Sequence, residues 1–216
     1  MSSLRSVGIV LALGAALAAV AVVLLLVALL VFGIPISYDA SPAGVPAETL
    51  ATAGYADDEP RPYTIERSIA VVDLSITNWI VAYGTGDPTD EDEEVATLAV
   101  LSTPDVGVGG WSLNPLTRLD EGDLIEVVLE RLDRFDDDEI RAVDEADAEE
   151  RTILGDEVAV RTYAVSTEAE GEGPLLVHVA IVENEDDVIV LLGVHPGTMD
   201  ERETLVSLME VVEHPR

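Results

Sequence analysis

Hydrophobic and polar positions change pattern twice along this chain. From Val7 to Phe32, 26 consecutive residues carry no charge and no polar side chain. From Gly33 to Ala47 apolar residues are broken by prolines at 35, 42 and 46, and from Glu48 to Arg216 apolar stretches alternate with short acidic ones. A helix over the uncharged run reaches roughly 39 Å at about 1.5 Å per residue, enough to cross a bilayer with tilt. The pattern therefore predicts a cytoplasmic tail at 1–6, a transmembrane helix at 7–32, an extended Pro-rich stalk at 33–47 and one folded domain at 48–216.

Within the domain the first prediction is a short helix, 47–53, with Pro46 at its start and Gly54 behind it. Residues 63–83 read as a hairpin turning near Val72-Asp73 or as one long bent strand, and 95–102 as a strand. A loop follows over 103–117. The spacing of Leu124, Val127, Val128, Leu132 and Phe135 predicts an amphipathic helix over 120–135, with Asp120 and Asp123 where a cap belongs. Strands are expected near 140–144, 148–154, 157–166, 174–183 and 188–195. A last helix, 200–213, capped by Asp200 with Glu203 three residues on, buries Leu205, Leu208, Met209 and Val212. This order implies an α+β fold: an antiparallel sheet of about six to seven strands with two main helices packed on it.

The last two strands yield a register. A turn centred on Glu185-Asp186 pairs residues whose numbers sum to 371. One face then carries Val177, Val179, Ile181, Val190, Leu192 and Val194, and reads as core. The other carries His178, Ala180, Val182, Ile189, Leu191, Gly193 and His195. Extending the sheet to the preceding strand with a pairing sum of 341 sets Tyr163 beside His178 and Arg161 beside Ala180, and adds Val158 and Val160 to the core face. Arg161, Tyr163, His178 and His195 then share one surface, the candidate ligand-binding site, on which two histidines could hold a metal with a carboxylate or bind an anion with Arg161. The plainer reading is that a histidine inside an apolar strand packs, and that Arg161 pairs across strands with Glu150.

Composition narrows location more than chemistry. The chain has 43 Asp and Glu against 11 Arg and no Lys, a net charge of −32. Such an excess opposes the compact state in dilute salt and fits a protein of multimolar salt, which points to a halophile and makes the acid a solvated surface. It excludes nucleic acid, whose phosphates need a basic patch. There is no cysteine, hence no disulfide, thiolate metal site or lipid-bearing thiol. The apolar run exceeds the roughly 7 to 15 residues of a signal peptide, and the first small-x-small pattern behind it, Ser41-Pro42-Ala43, has a proline in its middle, so the run reads as a retained anchor. Arg5 is the basic residue flanking its start and Arg61 the first beyond its end, which puts the N-terminus in the cytoplasm and the domain outside the cell.

Motifs of catalysis are missing. Gly107-Val108-Gly109-Gly110 lacks the dinucleotide-binding spacing, no GxSxG, HExxH or Walker loop occurs, and the acidic stretches DEDEE and ENEDD lack the central glycine of a calcium loop. No metal or cofactor is called for. Asn78, Asn114 and Asn184 lack the Ser or Thr of a glycosylation sequon. Gly54-Tyr55, Thr77-Asn78-Trp79 with Tyr83, Ser102-Thr103-Pro104, Asn114-Pro115, and His178 with Gly193-Val194-His195-Pro196 resemble the landmarks of an uncharacterised haloarchaeal family, the domain of unknown function DUF6517, over about 48–213. The resemblance implies a surface-tethered domain, held in many relatives by a lipidated cysteine that this chain replaces with a helix, and it implies no reaction. The element order is also similar to the PsbP-like helper domains. The expected function is thus a membrane-anchored, extracytoplasmic binding or envelope-assembly module, not an enzyme, with the bilayer, and an envelope protein or small ligand, as partners. The rival is a metal- or anion-dependent enzyme using the His178 and His195 face.

Overall fold

The computed structural model describes residues 36–69, 72–86, 95–108, 111–112, 114–119, 121–129, 142–166 and 174–215. The run at 7–32 lies outside them. Among the described residues no helix is long and apolar enough to cross a membrane. The chain divides into a larger unit, Tyr38–Ile65 with Ile76–Arg216, and a small one, Met1–Ser37 with Glu66–Ser75. Of the small unit, residues 36–37, 66–69 and 72–75 are described. There the Ser68 hydroxyl donates to the Asp73 carboxylate at 2.7 Å.

The fold is an α+β arrangement of ten strands and three helices among the described residues. The strands are β1 Ile36–Asp39, β2 Arg61–Ile69, β3 Val72–Gly84, β4 Thr97–Pro104, β5 Gly107–Val108, β6 Trp111–Ser112, β7 Ala142–Ile153, β8 Asp156–Ser166, β9 Leu175–Asn184 and β10 Asp187–Pro196. The helices are α1 Ala47–Ala53, α2 Glu121–Leu129 and α3 Arg202–Glu210. Eight strands form one sheet in the order β1-β3-β4-β10-β9-β8-β7, with β2 also paired to β3. The sheet is larger than the six to seven strands expected, because two paired strands, β2 and β3, cover most of 63–83 and β1 adds a strand from the stretch expected as stalk. From β3 through β4, β10, β9 and β8 to β7, each neighbouring pair of strands is antiparallel.

Central β4 is buried along its whole length, and β10 along all but its last residue. Both faces of the sheet are covered, so their sequences run apolar rather than alternating. On one face Leu50 of α1 and Leu205, Leu208 and Met209 of α3 pack with Leu98, Val100, Val160, Ala180, Val182, Ile189 and Leu191. On the other, Leu124 and Ile125 of α2 pack with Ala99, Leu101, Val165, Val177, Val179, Val190, Leu192 and Val194. Gly193 lets α3 approach: a Cβ there would lie 3.2 Å from Leu205 Cβ and 3.1 Å from Met209 Cε. The apolar positions of α3 are buried as expected, but its cap is not Asp200. Glu201 occupies that position, without a side-chain cap bond. α1 begins at Pro46 and ends on Gly54, whose φ of 82° is left-handed.

Two expected strands, 140–144 and 148–154, are one strand, β7, with a bulge between Glu145 and Asp147. The extra residue breaks the alternation and mimics a gap. β7 ends the sheet order, and its Glu145, Asp147 and Glu150 are exposed. A charged, bulged strand blocks edge-to-edge pairing. The loop expected over 103–117 holds the end of β4, the β5-β6 pair and a 3-10 turn, Leu116–Arg118.

The expected stalk is bonded to the domain from Ala40 onward. Backbone N–H groups donate from Ala40 to Thr77 O at 3.0 Å, from Ser41 to Asp187 Oδ2 at 2.9 Å, from Ala43 to Ser102 Oγ at 2.9 Å and from Val45 to Tyr83 Oη at 3.1 Å. Gly44 and Glu213 exchange both backbone bonds. An extended segment whose donors are met along one line reads as a free linker in sequence, because its partners come from three strands and the segment after α3.

Candidate functional site

The β9-β10 register is the expected one, Asp187 opposite Asn184 and Gly193 opposite His178. It brings His178 and His195 together, diagonal across the pair and almost fully buried, at 0% and 1% exposure. Their Nε2 atoms are 3.1 Å apart. His178 Nδ1 lies 2.9 Å from Thr162 Oγ1, and His195 Nδ1 lies 2.9 Å from the Pro196 carbonyl. A carbonyl only accepts, so His195 carries its proton on Nδ1. Two neutral rings then satisfy the chain in one way: Thr162 donates to His178 Nδ1, and His178 Nε2–H donates to His195 Nε2. Burial first, then the proximity of His195 and Arg202, pushes the pKa of His178 down to about 4, so that ring is neutral near pH 7.

Arg161 and Tyr163 are not part of that surface. The structure pairs β8 with β9 at a sum of 340, Arg161 opposite Val179 and Thr162 opposite His178. This is one residue from the expected register, and such a slip exchanges the faces of the strand. Val160 joins the face of α1 and α3, while Tyr163 and Val165 join that of α2. Both faces are apolar, so Val158 and Val160 fit either, and parity was not fixed by burial. On the α2 face the Glu121 carboxylate accepts from both the Arg161 guanidinium and the Tyr163 hydroxyl. Glu121 stands in the first turn of α2, where a carboxylate is favoured. Tyr163 holds its proton more firmly than a free phenol, through burial and then the bond to Glu121. Arg161 faces Ala148 rather than Glu150 across β7. The four candidate residues thus form two separate groups.

Sequence reasoning missed three polar clusters. Thr162 completes the histidine chain. Asp187, 7% exposed, accepts from the Ser41 N–H at 2.9 Å and meets His214 Nε2 at 3.1 Å, while His214 Nδ1 lies 3.0 Å from Asn184 Oδ1. Ser41 contributes backbone atoms there, so this is a clasp and not a catalytic triad. Third, the Thr103 hydroxyl donates to Asn78 Oδ1, Asn114 Nδ2 donates to Thr103 Oγ1 at 2.6 Å and to Pro104 O at 2.8 Å, and Asn114 Oδ1 accepts from Leu116 N–H at 3.0 Å. Polar residues inside apolar strands were the available signal, since buried polar groups are there to be bonded. Among the described residues no group of three or more His, Cys, Asp or Glu is arranged to hold a metal ion.

Many landmark residues of the sequence are thus structural staples: Tyr83 and Ser102 fasten the entry segment, and Asn78, Thr103 and Asn114 fasten the loop after β4. A family model described as a domain of unknown function, DUF6517, matches residues 42–213. The chain belongs to that family. No curated protein matches it. Among solved structures the DUF6517 domain is similar to cyanobacterial PsbP (CyanoP) from Synechocystis sp. PCC 6803, with 13% identity over 85% of this chain and 96% of that one and a TM-score of 0.38. A likeness at that level carries no argument about function.

Proposed function

We propose that this protein is a membrane-anchored member of the DUF6517 family from a halophile, and that its folded part, outside the cytoplasmic membrane, serves as a binding or envelope-assembly module. One observation carries the reading: the uncharged run Val7–Phe32, long enough to cross a bilayer, precedes the residues that the family model matches, 42–213. A partner is then an envelope component or a small ligand. The internal bonding of His178, His195, His214, Arg161 and Tyr163 supports a helper role over a hydrolytic one.

The test is topological. Protease added to intact cells should digest the domain and leave a fragment of the anchor, whereas full protection sinks the proposed orientation. Recovery of the chain in the soluble fraction after lysis in high salt would sink the anchor. If both hold, cross-linking in intact cells should capture a membrane or envelope component; capture of cytoplasmic proteins alone would overturn the module assignment.

A further inference from the structure

We propose that His178 and His195 form a buried two-histidine site for a soft monovalent cation with a filled d shell, copper(I) being the biological one. The two rings face each other tip to tip. Their centroids are 5.2 Å apart and their planes inclined by 22°, while the Nε2 atoms are 3.1 Å apart. The centroids stand further apart than the Nε2 atoms by close to twice the distance from a ring centre to its own nitrogen. The rings therefore lie nearly in one plane with the Nε2 atoms aimed at each other, not face over face.

The remaining ring nitrogens are held as those of metal-bound histidines are. Each Nδ1 rests 2.9 Å from an oxygen, Thr162 Oγ1 for His178 and the Pro196 carbonyl for His195, and such outer partners fix ring orientation and tautomer. The number of donors selects the ion. Zinc takes four ligands in structural sites, and the described residues supply no third His, Cys, Asp or Glu to this pair. A singly charged filled-shell ion is content with two nitrogens in line, and imidazole suits copper. Burial selects in the same direction: the Born cost of drying an ion grows with the square of its charge, so a monovalent ion enters a site at 0–1% exposure at a quarter of a divalent ion's cost. Two metal–nitrogen bonds of about 2 Å laid end to end need roughly 4 Å between nitrogens, so the rings must part by less than about 1 Å.

Coordination balances without releasing a proton. The ion takes the lone pairs of both Nε2 atoms, the Nε2 proton of His178 moves to its Nδ1, and the Thr162 hydroxyl changes from donor to acceptor. Arg202, whose charge acts on His178, does not oppose the ion by itself: it is paired with Asp147 at 2.7 Å and Glu149 at 3.2 Å.

The full chain, purified in detergent under anaerobic and metal-free conditions, is titrated with copper(I) against a chromophoric copper(I) chelator. Silver(I), a redox-inert probe of the same class, is added while NMR of isotope-labelled histidine reports each tautomer. One equivalent should be retained, with ion on Nε2 of both rings and the His178 proton moved to Nδ1. Thr162→Val, which leaves both rings in place, should weaken retention by about 10- to 100-fold. Failure to retain the ion, or retention with the tautomers of His178 and His195 unchanged, overturns the proposal.

Discussion

The Asp187 carboxylate and the His214 imidazole meet at 3.1 Å beneath the segment through which the chain enters the domain. Asp187 opens the last strand and His214 is the third residue from the end, yet together they hold Ser41 by its N–H and its carbonyl. The start and end of the domain are closed by one clasp.

Asp187→Ala should therefore destabilise the domain by about 1–3 kcal/mol, because it takes the acceptor from the part-buried Ser41 N–H and leaves His214 Nε2 with the Ser41 carbonyl alone. Denaturant unfolding at fixed high salt measures it. A loss below 0.5 kcal/mol on the order of a surface substitution would show that water replaces the carboxylate.

The Asn78, Thr103 and Asn114 cluster should behave as one unit. Thr103→Val and Asn114→Ala are each expected to cost about 1–3 kcal/mol, and the double variant less than their sum, since the first loss already leaves the other partner unpaired. A double-mutant cycle by chemical denaturation reads the coupling, and strict additivity would refute it.

Gly193→Ala tests how tightly α3 sits on the sheet. Met209 Cε is the end of a flexible chain and can yield, but Leu205 Cβ is fixed to the helix backbone. The expected cost is about 1–3 kcal/mol, with Gly193→Val worse. Equal stability of both variants would mean that α3 shifts freely.

Acid should weaken the metal-free fold through His178. An unfolded histidine takes up a proton near pH 6.5, while the native ring resists until about pH 4. Because the folded value is depressed, the stability due to the neutral ring is complete above pH 6.5 and is lost as pH falls toward 4, by up to about 3 kcal/mol. Urea midpoints between pH 7 and 4 should fall in wild type and fall less in His178→Gln, and parallel curves would contradict this assignment.

Local pattern carried a good part of the fold. The helix 47–53 was legible because Pro46 and Gly54 bracket it, and α3 because Leu205, Leu208, Met209 and Val212 repeat at helical spacing; all four are buried. The β9-β10 register was legible because a two-residue turn at Glu185-Asp186 leaves no freedom to slip. The β8-β9 register was not, since the connection between those strands is long and either face of β8 suits a core covered on both sides. That one residue of register separates Arg161 and Tyr163 from His178.

By itself the sequence determined the uncharged run, the acidic surface, the class of fold and the pairing of the last hairpin, because each depends on neighbours in the chain or on bulk composition. Only the tertiary structure decided what the polar residues do. Thr162 meets His178, Glu121 meets Arg161 and Tyr163, and Asp187 meets His214 and Ser41 across separations of 16 to 146 residues. Those meetings follow from strand parity and from helices crossing both faces of the sheet. A buried polar group needs a partner wherever the fold happens to bring one, and local spacing holds no record of it.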